Sequence, residues 1–193
     1  LFTGTKRNIA PLRDHPRFRA ELDEEVIQLL FKSAPLHDVG KVATPDAILL
    51  KKGKLTPDEW VIMKQHCEYG RNAILQAEKA LGDSADASFL RYAAEIAYGH
   101  HERWDGSGYP LGVSGDAIPL SARLMAVADV YDALISRRVY KPPFPHEQAL
   151  AMIVEERGSH FDPGIVDAMC QVAGEFASIA RNFRDEPDHE SVA

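Results

Sequence analysis

Cysteine is scarce in this sequence: Cys67 and Cys170 are the only two, and they stand far apart. Neither belongs to a Cys-x-x-Cys pair or to a row of cysteines, so a disulfide framework is excluded. Long hydrophobic runs are also missing, because no stretch approaches the roughly 20 apolar residues that cross a bilayer. These absences predict a soluble protein of a reducing, cytoplasmic compartment.

The sequence also has no excess of basic residues. The chain has 22 lysines and arginines against 29 aspartates and glutamates, which gives a formal net charge of −7. A broad nucleic-acid-binding surface needs basic residues clustered into a continuous patch, so that class of protein is excluded. Any anionic ligand must therefore be held locally, by metal ions and a few cations.

Alternation of apolar and polar residues, the pattern of a half-buried strand, is not found in any convincing run, and no internal repeat is visible. Apolar residues instead recur at spacings of three and four, which is typical of amphipathic helices. The fold class is therefore predicted to be all-α, a helical bundle. Helices are expected over 24–34, from 56 onward, from near 86 to 101, from 119 onward, over 146–157 and over 163–182.

The two ends of the chain differ from its middle. Residues 1–20 are mixed in character and are interpreted as an irregular or truncated N-terminal segment. Residues 184–193 are polar enough to form a disordered tail. The expected folded domain therefore covers residues 21–183.

One helix start is marked with particular clarity. Thr56 and Glu59 have the spacing of a capping box, and Pro57 occupies the first helical position between them. The helix that begins there is predicted to place Trp60, Met63, Cys67 and Ile74 on its buried side, with His66 on or beside that side.

Two pairs of adjacent residues offer ligands for a metal ion. His37-Asp38 stands at the end of the predicted helix 24–34, and His100-His101 stands where a later helix gives way to a glycine-rich loop. An imidazole nitrogen together with a carboxylate oxygen suits iron, manganese, zinc and similar ions. Each pair alone has an ordinary explanation, a helix end with a turn former for the first and a surface or structural pair for the second.

His66 and Asp129 extend this set of ligands. His66 falls near the buried side of its predicted helix, where a hydrogen-bonded core histidine is the ordinary alternative. Asp129 is surrounded by Ala and Val, so its carboxylate needs a metal ion or a salt-bridge partner. With the two pairs, these residues supply ligands for two metal ions and leave positions open for water and substrate. One shared site is more economical than six separate explanations.

Three cations near these ligands are candidates for binding phosphate groups: Lys41, Arg138 and Lys141. Their ordinary alternative is a solvated surface position. The loop 105–110 contains two glycines and Tyr109, which can stack against a base, or the loop is simply a tight connector. The residues alone therefore predict a divalent-metal site that hydrolyses a phosphate ester.

The motif His37-Asp38-Val39-Gly40-Lys41, followed by His100-His101-Glu102-Arg103-Trp104-Asp105-Gly106-Ser107-Gly108-Tyr109-Pro110, closely resembles the HD-GYP subgroup of the HD metal-dependent phosphohydrolase superfamily. The resemblance implies an α-helical HD-type bundle. It implies a phosphodiesterase that opens the bacterial second messenger cyclic di-GMP to linear pGpG or on to GMP. It also implies bound divalent metal ions, commonly iron or manganese, with zinc, nickel or magnesium as alternatives.

The resemblance further implies roles for individual residues. The metal ligands would be His37, Asp38, His66, His100, His101 and Asp129, with Asp38 bridging two ions. Catalysis would depend on Asp38 and Lys41, and substrate binding on Lys41, Tyr109, Arg138 and Lys141.

One departure from the subgroup concerns the number of metal ions. Many relatives carry a Glu-Thr-Gly-x-His segment well ahead of the His-Asp pair, and its Glu and His complete a third metal site. Here Thr3-Gly4-Thr5-Lys6 lacks both ligands. A site for two divalent metal ions is therefore expected.

The expected partners are cyclic di-GMP and a receiver or sensory domain, to which relatives are often fused, or a diguanylate cyclase-type protein. No nucleic acid partner and no membrane segment in this chain are expected. Two other functions stay open. One is a broader nucleotide or cyclic dinucleotide hydrolase, and the other is a regulatory module that binds cyclic di-GMP or a partner protein with little or no turnover.

Overall fold

A computed structural model describes residues 18, 22–82, 88–136 and 143–182. Within these residues the chain folds into nine α-helices and forms no strand, apart from one isolated bridge between Arg157 and Phe161. The predicted all-α class is therefore confirmed. None of the described helices is both long and apolar enough for a membrane span. The helices are α1 Glu24–Ser33, α2 Asp46–Leu49, α3 Pro57–Lys64, α4 His66–Leu81, α5 Ser88–Gly99, α6 Leu120–Ile135, α7 His146–Glu155, α8 Pro163–Gln171 and α9 Ala173–Asn182.

Helix α1 begins and ends close to its predicted limits. Asp23 caps it by accepting a hydrogen bond from the Val26 backbone nitrogen at 2.8 Å. Two glutamates in the first turn stabilise the helix by interacting with the positive end of its dipole. Its inner face buries Ile27, Leu30 and Ser33. The helix is thus anchored to the core directly before His37-Asp38.

The capping box at Thr56 forms as predicted, but the helix that follows breaks. Thr56 N donates to Glu59 Oε2 at 2.7 Å, and Glu59 N donates to Thr56 Oγ1 at 3.3 Å. Helix α3 then ends at Lys64, Gln65 caps it, and α4 begins at His66. Because the break interrupts the apolar stripe, the prediction for Trp60 is wrong: that side chain is 46% exposed.

Beyond the break, Cys67 and Ile74 are buried as predicted, and Met63 is half-buried.

The single helix predicted over 163–182 is also wrong, because the chain forms α8 and α9 with a break at Val172. Val172 leaves helical geometry at φ −111° and ψ 22°. A β-branched residue followed two positions later by Gly174 is a weak helix-forming sequence. Asp162 does cap α8, since its side chain accepts from Gly164 N at 2.8 Å.

The core has two parts. The larger one joins α1, α5, α6, α7 and α8 through apolar residues such as Leu30, Ile96, Leu124, Ile153 and Val166. The smaller one lies between α4 and α5 and contains Ile74, Leu90, Ala93, Ala94 and Ala97. Together they hold the ends of α1, α4 and α5 against one another. These three ends carry the histidines of the predicted site.

The predicted domain limits of 21–183 stay a prediction. Residues 1–17, 19–21 and 183–193 lie outside the described residues. Phe18, in the predicted irregular segment, is described and is fully buried in the larger core.

Candidate metal centre

His37 and Asp38 stand between two short 3-10 turns, Ala34–Leu36 and Val39–Ala43, that follow α1. The second turn packs backbone to backbone on α4. A Cβ atom placed on Gly40 would lie 1.9 Å from His66 O and 2.4 Å from Gly70 N, so only glycine fits there. This close approach brings the His37-Asp38 turn to the beginning of α4, where His66 stands.

Four side chains converge at this place. Asp38, His66, His100 and His101 each offer one ligand atom, and these atoms all lie within 4.8 Å of one another. His66 is the first residue of α4, and His100 and His101 directly follow α5. His66 and His100 are almost fully buried. We call these four residues the histidine cluster.

Backbone carbonyls orient three of the histidines near Asp38. The Nδ1 atom lies 2.9 Å from Ala34 O in His37, 2.6 Å from Met63 O in His66 and 2.9 Å from Ile96 O in His100. Because a carbonyl oxygen can only accept, each Nδ1 carries the proton and donates it. In the neutral ring each Nε2 therefore presents a lone pair, which is the arrangement of a histidine that binds a metal through Nε2.

Two buried atoms of the cluster lack a hydrogen-bond partner among the described residues: Asp38 Oδ1 and His100 Nε2. Asp38 Oδ1 lies 3.5 Å from His66 Nε2 and 3.8 Å from His100 Nε2. With both imidazoles protonated on Nδ1, these atoms are all acceptors that face one another, and such a group is costly without a cation. The donor set of imidazole nitrogen and carboxylate oxygen fits a divalent metal ion.

His37 and Asp129 lie on the other side of Asp38. His37 Nε2 is 3.3 Å from Asp38 Oδ2 and 3.8 Å from Asp129 Oδ1. Asp129 is a half-buried residue of α6. The structure thus brings all six predicted ligands together, and the two oxygens of Asp38 face different subsets of them.

Protonation in the cluster is controlled by burial and by Asp38. Burial lowers the pKa of His66, and it lowers the pKa of His100 to about 4. Both imidazoles are therefore neutral at pH 7, as metal ligands must be. Burial opposes the charged form of His37 too, but the hydrogen bond to Asp38 prevails and raises the pKa of His37.

The two carboxyl groups respond in opposite directions. Burial favours the neutral form of Asp38, but hydrogen bonds from His37 and Lys41 outweigh it and hold the pKa of Asp38 far below its usual value. Burial raises the pKa of Asp129. Asp38 is therefore the permanent negative charge at the centre of the six ligands.

The predicted substrate-binding residues fall into two groups. Lys41 Nζ donates to Asp38 Oδ2 at 2.5 Å, and the Tyr109 ring stacks on the His101 ring with centroids 4.8 Å apart and an interplanar angle of 25°. These two residues therefore lie at the cluster. Arg138 and Lys141 lie outside the described residues, as do Thr3 and Lys6 of the segment compared with a third metal site.

The loop that carries Tyr109 folds back on the histidine pair. Tyr109 N donates to His101 O at 3.2 Å. A Cβ atom on Gly108 would lie 2.3 Å from Arg103 N, so this glycine is required for the close approach. The buried carboxylate of Glu102 accepts from Leu111 N at 2.6 Å and closes the loop.

Glu102 also accepts from Gly112 N at 3.1 Å. Reasoning from the sequence missed its role. The sequence feature that could have indicated this role is an acidic residue directly after the two histidines.

Known proteins resemble this chain in sequence and in fold. A family model described as HD domain matches residues 1–165. A probable cyclic di-GMP phosphodiesterase of Vibrio cholerae is 58% identical over 88% of this chain and 38% of its own length. The cyclic di-GMP phosphodiesterase response regulator RpfG of Xanthomonas campestris is 45% identical over 84% of this chain and 41% of its own length. This chain therefore spans less than half the length of these relatives.

A solved structure supports the fold. The crystal structure of a cyclic GMP-AMP specific phosphodiesterase of V. cholerae superposes with a TM-score of 0.55, over 89% of this chain and 46% of that one. The sequence identity is 19%, so this likeness bears on the fold alone. It agrees with the predicted HD-type helical bundle.

Proposed function

Because this chain belongs to the HD domain family and, within it, to the HD-GYP subgroup, we propose that it is a metal-dependent phosphodiesterase that hydrolyses cyclic di-GMP to pGpG, GMP or both. The observation that carries this proposal is the histidine cluster, in which buried lone pairs of Asp38 and His100 converge without a donor among the described residues. The V. cholerae and X. campestris relatives, which are named as cyclic di-GMP phosphodiesterases, support the choice of substrate.

The proposed cofactor is a pair of divalent metal ions, iron or manganese, with zinc, nickel or magnesium as alternatives. His66, His100 and His101 would hold one ion, His37 and Asp129 would hold the other, and Asp38 would be shared between them. Support comes from the distances that place Asp38 between the two subsets. Bound divalent ions supply Lewis acidity, which acidifies water and neutralises charge on a phosphate.

The protein's own residues then have distinct tasks. Asp38 stays ionised and accepts from Lys41, which orients the Lys41 ammonium at the cluster. An ammonium has three N–H donors, so Lys41 can keep Asp38 and still donate to an oxygen of the scissile phosphate. Charge that develops on that phosphate is thereby stabilised by a group already in place.

Tyr109 has a different task from Lys41. Its ring covers His101, and burial raises the pKa of its hydroxyl, so the side chain stays neutral and offers a hydroxyl to the substrate. We place this hydroxyl against a guanine base, with which it can form a hydrogen bond. Arg138 and Lys141 stay proposed contacts of the substrate phosphates.

A product assay tests the function directly. Protein purified without oxygen and loaded separately with iron, manganese or zinc is incubated with cyclic di-GMP, and the products are separated by chromatography. We expect pGpG, GMP or both, and at least about a hundredfold less product from Asp38→Asn protein treated in the same way. If no metal yields either product, the phosphodiesterase proposal is wrong.

The same experiment separates the alternative functions. Hydrolysis of other cyclic dinucleotides or of nucleotides at comparable kcat/KM would indicate a broader hydrolase. Tight binding of intact cyclic di-GMP without product would indicate a regulatory module. Metal analysis of the anaerobically purified protein before loading identifies the resident ion.

In the whole protein, we propose a cytoplasmic domain that receives a signal from a receiver or sensory domain or interacts with a diguanylate cyclase-type protein. The response-regulator name of the X. campestris relative supports the first of these partners. Comparing hydrolysis by this chain with hydrolysis by the longer protein, with and without phosphorylation of a receiver domain, tests it. Equal rates in all three samples would contradict control by such a domain.

A further inference from the structure

A line of contacts leads from the histidine cluster to an exposed lysine that the proposed function does not use. The His66 and His101 rings meet edge to face at 5.1 Å, and the Tyr109 ring stacks on His101 at 4.8 Å. The Lys64 ammonium lies over the Tyr109 ring, 4.9 Å from its centroid. Lys64 is therefore a cation held at the edge of the site through Tyr109.

The backbone ties Lys64 to the same helix end that orients a ligand. Lys64 is the last residue of α3, and the carbonyl of the preceding Met63 accepts from His66 Nδ1 at 2.6 Å. The break between α3 and α4 falls at Gln65, between Lys64 and His66. The positions of Lys64 and His66 are thus set by one local structure, so the ammonium keeps a defined place relative to the cluster.

The charge of Lys64 is not neutralised by a neighbour in the described part of the chain. Lys41 pairs with Asp38 and Lys51 pairs with Glu59, whereas no described carboxylate lies within 4 Å of the Lys64 ammonium. A cation–π contact attracts the ammonium but uses none of its N–H donors in an ordinary hydrogen bond. All three donors are available to an anion.

A cyclic dinucleotide has two phosphodiester groups in one ring, and both are charged at neutral pH. If one lies at the cluster with Lys41, the other must lie a short distance away on the same face of the protein. We infer that Lys64 binds this second, non-reacting phosphate, while its aliphatic stem packs on Tyr109. The inference rests on the proposed function and adds a specificity-determining residue to it.

A pair of substrates tests this assignment. Bis(p-nitrophenyl) phosphate has one phosphodiester, so it engages the cluster but has no second phosphate for Lys64. For Lys64→Ala, we expect kcat/KM for cyclic di-GMP to fall roughly five- to tenfold more than kcat/KM for bis(p-nitrophenyl) phosphate, mainly through KM. This is the effect of losing one partly screened, charge-assisted hydrogen bond.

Two further variants separate charge from structure. Lys64→Arg keeps the cation and the stacking on Tyr109, so it should restore most of the lost kcat/KM for cyclic di-GMP. Lys79→Ala, at an exposed lysine in the last turn of α4, is the matched control and should change neither substrate. Equal losses on both substrates in Lys64→Ala, or failure of Lys64→Arg to restore activity, would overturn the inference.

Failure of the inference about Lys64 can be distinguished from failure of the proposed function. Wild-type protein that cleaves cyclic di-GMP alongside an unaffected Lys64→Ala variant would disprove the role of Lys64 and leave the function standing. If wild-type protein binds cyclic di-GMP without cleaving it, the dissociation constants of the same variants give the answer. Wild-type protein that neither binds nor cleaves it would disprove both.

Discussion

Two groups of largely buried polar side chains in this molecule differ in whether they need a ligand to compensate their charges and lone pairs. The histidine cluster contains acceptors that face one another, and Asp38 Oδ1 and His100 Nε2 have no donor among the described residues. A second group, which we call the arginine clamp, consists of the buried Arg123 and Asp162 and the exposed Asp116. Its Arg123 Nη1 donates to Asp162 Oδ2 at 2.7 Å and to Asp116 Oδ1 at 3.1 Å.

The difference separates a binding site from a structural ion pair. The arginine clamp supplies its own opposite charges, although Arg123 Nε has no partner among the described residues. It therefore needs no ligand to be stable. The histidine cluster combines the negative charge of Asp38 with neutral imidazoles, and only an added cation can satisfy all of them. The direction of the unpaired atoms, more than burial itself, marks the candidate metal centre.

Among the changes that test the difference between the two groups, removal of the Asp38 charge should have the largest effect, and that effect is on hydrolysis. Asp38→Asn removes the central charge and places an N–H donor among the acceptors, while its oxygen can still accept from Lys41. We expect hydrolysis and metal content to fall at least about a hundredfold. The unfolding free energy of the metal-free protein should stay the same or rise, because the new donor can bond a histidine Nε2. Product chromatography, metal analysis and urea unfolding in chelator measure the three quantities.

A substantial loss of stability together with retained hydrolysis in Asp38→Asn would contradict this prediction. It would place Asp38 in the same structural class as the arginine clamp.

Breaking the arginine clamp should have the opposite result. Arg123→Met leaves the fully buried side chain of Asp162 without its cation, and we expect the unfolding free energy to fall by about 3 kcal/mol. Metal content per folded molecule should stay unchanged. Arg157→Met is the matched control, since Arg157 pairs with Asp167 at an exposed position and its loss should lower the unfolding free energy far less. Equal losses in the two variants, measured by urea unfolding, would show that burial of the pair has no special role.

Metal addition should affect only one of the two groups. At a free concentration of about one hundred times Kd, an ion that binds only the folded protein stabilises it by about 2.7 kcal/mol. We expect this rise in wild-type and Arg123→Met protein but not in Asp38→Asn protein, and thermal unfolding with and without manganese measures it. A similar rise in Asp38→Asn would locate the ion elsewhere.

The smallest effect concerns a histidine beside the clamp. Burial, assisted by the positive charge of Arg103, lowers the pKa of His160 to about 4 from its ordinary 6.5. As pH falls through 6.5 toward 4, the unfolded chain binds a proton that the folded chain does not, so wild-type stability falls. The loss between pH 7.5 and 5.5 should be about 1 kcal/mol greater for wild-type than for His160→Gln. Urea unfolding in chelator measures it, and identical pH profiles would contradict the assignment.

Most of the fold followed from local sequence signals. The capping box at Thr56 and the apolar spacing before His37 and around Asp129 predicted helices that the structure contains. The break at Gln65 could not be predicted in this way. It depends on the hydrogen bond that His66 Nδ1 donates to Met63 O and on the close approach of Gly40 from another part of the chain. Such a contact leaves no periodic signal.

The candidate site was predictable in its members but not in its arrangement. Residue chemistry and the motif resemblance brought the six ligand candidates together, and the structure places them side by side. The backbone carbonyls that orient His37, His66 and His100 have no sequence signature, since every residue has a carbonyl. The roles of Glu102 and Lys64 depend equally on where the loop around Tyr109 folds back.

The contact between Gly40 and α4 has a consequence for how this protein tolerates mutation. Even the smallest side chain at Gly40 would overlap the backbone of His66 and Gly70, so the two ligand-bearing segments would have to separate. In a library that samples every substitution and selects for hydrolysis, this glycine should be as intolerant as the histidines, although it touches no ion. Screening for essential positions by side-chain chemistry alone would pass over it.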